Sequence, residues 1–469
     1  MTGVYGIFNT AKVALFTHQT GIEITGNNIA NVNTPGYSRQ RVNLVTSEPV
    51  LSTVGAMGTG VEITEIQRIH DPFLGAQINE ETQKMGKWES QQGALERVEM
   101  VFDAASDSGL IQSMNEFWNG WQDLANNPTG QTERVALVGK SETMALAFNQ
   151  MSSDLQQIQK DLDISIKGTV DNINQIAIEI ADLNYKIGSM EAEDRNANSY
   201  KDAQELLLKD LSLLIDVTSF ENSNGGITVL TGTGRTLVET VFTSELTVTV
   251  NANGFYDVGF INKDGTTTNI SSEISGGKLK GWLDSRDIKI PDYLSRLDIL
   301  AGTIIAEVNS LHVGVVGSPP SGGFDLYGNG GEVFFTGTTA SDITVNANII
   351  TDPNLVAASQ SPTAHGDNSN ALAIADLQNT ILPALNTARF DDYYNAIVNS
   401  VGSNVKEASN NHEHQITMVE HLDNYRESIS GVSLDEEMVN MIKYQHAYSA
   451  AAKMIQVADE MLNTLINMV

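Results

Sequence analysis

The chain has 469 residues, 58 Asp and Glu against 27 Lys and Arg, a net charge of −31 and no cysteine. Its length calls for roughly two to four domains. The acidity argues against nucleic acid, whose phosphates need a basic surface, and against anionic membranes. Without cysteine there are no disulfides, thiolate nucleophiles or cysteine–zinc sites.

The opening MTGVYGIFNTAK lacks a basic stretch followed by an apolar run, so no cleavable secretory signal is expected. No uncharged apolar stretch approaches the ~20 residues of a membrane helix. Val4, Phe8, Ala11, Leu15, His18, Ile22, Thr25, Ile29 and Val32 recur at alternating spacings of four and three. That pattern predicts a first helix with a coiled-coil seam. Thr34-Pro35-Gly36 ends it, because proline cannot continue a helix and glycine suits the turn beyond. Short β-like pieces separated by glycine follow over 37–66.

From about 85 to 215 the pattern is helical. Leu110, Met114, Phe117, Trp121 and Leu124 share one face. A second stripe runs through Phe148, Met151, Leu155, Ile158, Leu162 and Ile166, then on from Ile173 to Met190, with Gly168 as a weak point. Residues 217–276 are rich in Thr, Val, Asn and Gly and read as β-hairpins, turning at Asn253-Gly254 and Asp264-Gly265. A helix with Pro291 near its start comes next. A Gly/Pro/Ser-rich stretch with short strands fills 314–369, and a long helix runs from Phe390 through Leu422. The last helix opens with Ser433 and Glu436 spaced as a capping box. Its stripe comprises Met438, Met441, Gln445, Tyr448, Ala452, Ile455, Leu462, Ile466 and Val469.

The fold expected is mainly α with a smaller β-rich part: long helices, with the N- and C-terminal helices paired as a coiled-coil-like inner domain. Residues 1–66 and 425–469 would form the terminal core, 67–216 and 277–424 a helical shell, 217–276 a β-hairpin subdomain and 314–369 an irregular segment. Each terminal stripe needs a partner, and the other terminus is the economical one. Leu15, Ile22, Ile29 and Val32 are expected to pack against Met441, Tyr448, Ile455 and Leu462.

Catalytic and metal motifs are missing. Gly232-Thr233-Gly234-Arg235-Thr236 lacks the lysine and helix of a phosphate loop and reads as a hairpin turn. His412 and His414, two apart on a helix, point to different sides and do not converge on a metal. Asp435, Glu436 and Glu437 suit a helix first turn, and Asp284, Arg286 and Asp287 read as a helix-start charge cluster. No cofactor, metal or catalytic residue is expected. The five methionines of the last helix suit core packing or an adaptable surface.

Asn28-Ile29-Ala30-Asn31-Val32-Asn33-Thr34-Pro35-Gly36-Tyr37 resembles the N-terminal signature of flagellar rod, hook and hook-associated proteins. The C-terminal run from Ser430 resembles the last helix of the same superfamily, and its SGVSLDEE opening favours the hook–filament junction (hook-associated protein 1) family. Residues 132–149, 174–187, 276–312 and 323–335 resemble that family's middle region. The resemblance implies a structural subunit, not an enzyme, exported through the flagellar type III route to the hook–filament junction outside the cell. Implied partners are copies of itself in a ring or short helical layer, hook protein, hook-associated protein 3 and an export chaperone on the C-terminal helix. Many members carry a larger outer β-domain after the segment matching Phe334-Phe335; here the chain runs on directly, so a separate outer domain is expected to be reduced or absent. A hook or distal rod protein is the alternative within the superfamily, disfavoured by the helical 85–215. A peptidoglycan hydrolase fused to rod-type ends would need a carboxylate pair or zinc site, and a plain coiled-coil adhesin would not require helices at both ends.

Overall fold

The computed structural model describes residues 4–52, 55–104, 109–193, 195–315 and 321–467. The stripe position Val469, and Met468 beside it, lie outside them. Helix α1 (Val4–Ala30) ends at the Thr34-Pro35-Gly36 turn, where Gly36 adopts φ +77°. Strand β1 (Gln40–Thr46) pairs antiparallel with β4 (Val61–Arg68), with a register shift at Asn43/Leu44. The small hairpin of β2 (Val50–Ser52) and β3 (Gly55–Met57) lies between them in sequence.

The body follows as α2 (Pro72–Ala104), α3 (Leu110–Asn126), α4 (Gln131–Glu191) and α5 (Asn198–Leu214). The 61 residues of α4 make a rod of roughly 90 Å, unbroken through Gly168. Its apolar stripe threads two cores. Met144 to Leu162 join the first, with α2, α3 and the 290–401 region, whereas Ile166 to Ala181 join the second, with α5 and the β part.

The β part holds two antiparallel sheets. One comprises β5 (Val217–Glu221), β6 (Ile227–Thr231), β7 (Thr236–Glu239) and β8 (Phe242–Thr243) in that order; the other comprises β9 (Leu246–Val250), β10 (Tyr256–Ile261) and β11 (Thr267–Asn269). Gly254 and Gly265 turn the second sheet at φ +84° and +82°, a conformation open to glycine at no steric cost. The phosphate-loop lookalike is a hairpin turn: Thr231 N donates to Arg235 O at 2.8 Å between β6 and β7.

Helix α6 (Gly277–Asp284) passes through a π-helical turn, Ser285–Lys289, into α7 (Ile290–His312) without a break. Pro291 is the second residue of α7, near its start as expected, although the π turn joins that helix to α6 without a break. The widened turn accommodates a residue that lacks an N–H and crowds the carbonyl four back. Arg286 is not part of a solvated helix-start cluster either. It is fully buried, and donates to Asp163 Oδ1 at 2.5 Å, to Tyr256 O at 2.7 Å and to both oxygens of Asp287. This cation sits where the two cores of α4 meet and joins the rod, the β part and the π turn.

The irregular stretch holds the two-residue strands β12 (Phe335–Thr336) and β13 (Thr344–Val345), then α8 (Ala347–Thr351), and α9 (Ser369–Asp376) follows at its end. A short hairpin that begins with Phe335, paired with Val345, and turns at Gly337 thus follows Phe334. Helix α10 (Phe390–Ser430) returns along α2, and α11 (Leu434–Asn467) returns along α1.

Candidate functional site at the paired termini

Asn28 near the end of α1 touches Glu437 in the first turn of α11, and Gly21 faces Tyr444, so the terminal helices run antiparallel. On α1 the buried positions are Ala11, Thr17, Gly21, Thr25 and Asn28. On α11 they are Glu437, Ala451 and Ala458, with Met441, Tyr444, Ala447, Ile455 and Leu462 half-buried on the same side. The seam is therefore built of small residues. A Cβ at Gly21 would stand 2.9 Å from Tyr444 Cδ1, so the tyrosine ring lies where only glycine leaves room.

Of the residues expected to form the seam, Leu15, Ile22, Ile29 and Val32 are half-buried, beside the fully buried α1 positions. Met441, Ile455 and Leu462 lie on the α1 side, but Met438 and Tyr448 are exposed, at 56% and 38%. The α11 seam runs one position away from the stripe at Met438, Gln445, Tyr448 and Ala452. Small residues let two backbones approach closely, and the larger apolar side chains are left beside the contact. Its signal in the sequence is the small residues Ala447, Ala451 and Ala458 on α11 and Ala11 and Gly21 on α1, but hydrophobic size is a poor guide to it.

The asparagine-rich signature has a hydrogen-bonding logic. Buried Asn28 donates from Nδ2 to Gln40 O at 2.9 Å and to Glu437 Oε2 at 3.1 Å. Its Oδ1 accepts from Gln40 N at 3.0 Å and from Tyr37 OH at 2.7 Å. One amide thus ties α1 to β1, to the turn and to α11. Burial, with the charges of Asp202 and Glu437, pushes the Tyr37 phenol up to about 12, so it remains a donor. Asn31 caps the helix end by donating to Asn27 O at 2.9 Å, and accepts from Thr34 Oγ1 at 3.0 Å. Asn33 and Pro35 are exposed, and Gly36 lies against Leu206 of α5.

At the start of α11, Glu436 N approaches Ser433 Oγ at only 3.5 Å. The Glu436 carboxylate does not reach back to close the box; it accepts from Arg39 Nη1 at 2.6 Å. An ion pair across elements replaces the local cap because β1 brings a guanidinium within reach. Glu437 is a first-turn acid as expected, and its side chain is buried on Asn28.

The paired termini are fastened to the body. Arg68 at the end of β4 bonds Asp202 at 3.0 Å and Glu205 at 2.9 Å, and the Arg68 and Asp202 side chains are each only 8% exposed. Ser38 N donates to Asp202 at 3.2 Å, Asn196 and Asn198 both donate to Ile66 O, and Arg39 N donates to Ser430 O. Nothing in local patterning links positions 68 and 202; only the tertiary fold does.

The outer faces of the pair carry uncovered apolar side chains. Tyr5, Phe8 and Phe16 are exposed on α1; Leu434, Met438, Val439, Ile442, Met454, Val457 and Met461 are exposed on α11. Isolated exposed apolar residues are ordinary, but stripes of them mark interaction surfaces. Of the histidine pair, His412 Nδ1 meets Gln92 Oε1 at 2.8 Å. Among the described residues no group of three or more His, Asp or Glu is placed to hold a metal, and no helix is long and apolar enough to cross a membrane.

The sequence matches the family model of the flagellar hook-associated protein FlgK helical domain over residues 95–335. It matches the C-terminal model of flagellar basal body rod FlgEFG proteins over 426–468 and that of flagella basal body rod proteins over 8–37. It is 32% identical over 500 residues to flagellar hook-associated protein 1 of Bacillus subtilis, covering all of this chain and 99% of that protein. It is 24% identical over 551 residues to the Escherichia coli protein of the same name, covering 98% of this chain and 99% of that one. The fold is similar to that of the flagellar hook junction protein FlgK from Burkholderia pseudomallei, with a TM-score of 0.65 and 15% identity, over 76% of this chain and all of the other.

Proposed function

Because the chain belongs to the flagellar hook-associated protein FlgK family, a family of structural and not enzymatic flagellar components, we propose that it is the subunit joining hook to filament, and that its paired termini are the part that assembles. The observation carrying this reading is the α1–α11 pair, closed inside by small residues and tied by Asn28, yet lined outside with apolar side chains. Its neighbours would be copies of itself, hook protein on one side and hook-associated protein 3 on the other.

The segments 1–66 and 425–469 serve as the inner core of the assembly in this reading, the helical body as the next shell and the β part as the outer surface. Export through the flagellar type III route places the subunit outside the cell. Before assembly, the Met438–Met461 side of α11 is the side an export chaperone would cover, since unbranched thioethers repack readily in a groove. Deleting the protein should leave cells with hooks but no filaments, with flagellin shed into the medium. Filaments of normal length on such cells would overturn the junction reading.

A further inference from the structure

Resting on the reading of the terminal pair as the assembling module, a different observation points to how that pair is controlled. His18 lies in the α1–α11 seam one turn from Gly21, its ring 6.1 Å from that of Tyr444 and tilted by 36°. Its Nδ1 is buried and has no hydrogen-bond partner. A neutral imidazole tolerates this position with the proton on Nε2. A protonated one would bury an N–H carrying positive charge with no acceptor at Nδ1, a costly arrangement inside a packed seam.

Neighbouring charges offer no compensation. The cleft beside Gly21 and Tyr444 is lined by Arg39 just before β1, by Arg41 of β1 and by Asp435, Glu436, Glu437 and Lys443 of α11. Glu436 is engaged by Arg39 and Glu437 by Asn28. On α11 the ring that meets His18 is that of Tyr444, with Lys443, His446 and Tyr448 the other titratable side chains of that stretch, and on α1 itself the nearest charged residues in sequence are Lys12 and Glu23. No ion pair joins His18 to an acid among the described residues. Burial accordingly lowers its affinity for a proton below that of a free histidine.

We propose that His18 is a proton-sensitive latch on the terminal helix pair: the neutral ring permits the seam, and protonation opens it. The folded value lies below the unfolded one, so the stabilisation is complete above about pH 6.5 and is lost as pH falls below it. The latch acts at the termini, not in the body, and would make assembly weaken in mildly acid medium.

Hydrogen exchange on the full chain, corrected for the pH dependence of intrinsic exchange, tests this at pH 7.5 and 5.5. Protection of 437–458 in the wild type should fall by up to about tenfold, the limit set by one proton taken up on opening. In His18→Gln it should be unchanged with pH; His18→Leu serves as a second non-titrating variant if glutamine weakens the seam. His70→Gln, altered at the joint with the body, should keep the wild-type drop. An equal drop in both His18 variants, or none in the wild type, overturns the latch alone. Lack of protection at pH 7.5 in the wild type overturns both the latch and the paired module it depends on.

Discussion

Asn28 and Glu437 stand 409 residues apart in the chain, and their side chains meet at 3.1 Å in a buried contact. That bond sets which turn of α11 lies beside which turn of α1, because the same amide is held on its other side by Gln40 and Tyr37.

Asn28→Ala should uncouple the two ends. It leaves the Gln40 backbone groups and the Glu437 carboxylate without their partner, a loss of about 2–4 kcal/mol from the terminal module. All four tryptophans, Trp88, Trp118, Trp121 and Trp282, lie in the body, so their fluorescence reports that part alone. The expected outcome is an unchanged fluorescence transition with failed incorporation into flagella. Normal incorporation would show that the asparagine does not set the register.

Gly21→Val should be more damaging than its size suggests. The added branch meets the Tyr444 ring, already 2.9 Å from the first carbon, and must push the helices apart. Overpacking of this kind costs about 1–3 kcal/mol. A second change, Tyr444→Ala, should recover part of the loss by removing the obstacle. Exchange protection of α11 in the single and double variants measures this, and independent, additive losses would contradict the contact.

The body should lose stability in acid through His312. This residue is fully buried; Nδ1 donates to Glu332 O at 2.6 Å and Nε2 accepts from Ala357 N at 2.9 Å, so both nitrogens are committed in the neutral form. Burial lowers its value to about 4. The unfolded chain, with a value near 6.5, binds the extra proton first, so stability is full above 6.5 and falls between 6.5 and about 4. The loss is on the order of 3 kcal/mol. Urea midpoints followed by tryptophan fluorescence should show this slope in the wild type and a flatter one in His312→Asn.

Arg286→Met should destabilise the middle of the rod by about 3–5 kcal/mol, because it strands the Asp163 carboxylate between two apolar cores. Pairing it with Asp163→Leu should restore much of the loss, since two apolar groups need no partner. The same fluorescence transition checks it; a double variant no better than the single would mean the aspartate is satisfied without the arginine. Tyr256 N, which also donates to Asp163 at 2.8 Å, sets a limit on the recovery.

Much of the fold was legible from local pattern. The stripes of α3 and α4, the helix stop at Thr34-Pro35-Gly36, the glycine turns at 254 and 265 and the helices at both ends are dictated by side-chain periodicity and by backbone freedom at single residues. These depend on neighbours in sequence, and a sequence displays its neighbours. The π turn before Pro291 was not legible, because it balances one proline against packing on both sides.

The site divides in the same way. The sequence by itself determined that both termini are amphipathic helices and that Asn28 to Tyr37 form a recognisable signature. Only the tertiary structure decided that the seam passes through Gly21, Ala451 and Ala458, that Glu436 turns to Arg39, and that Arg68 meets Asp202. An amphipathic pattern tells how much apolar surface must be covered, whereas the depth of a contact depends on which backbones can come close. That is settled by the absence of side-chain atoms at a few positions and by polar partners hundreds of residues away, neither of which leaves a periodic trace.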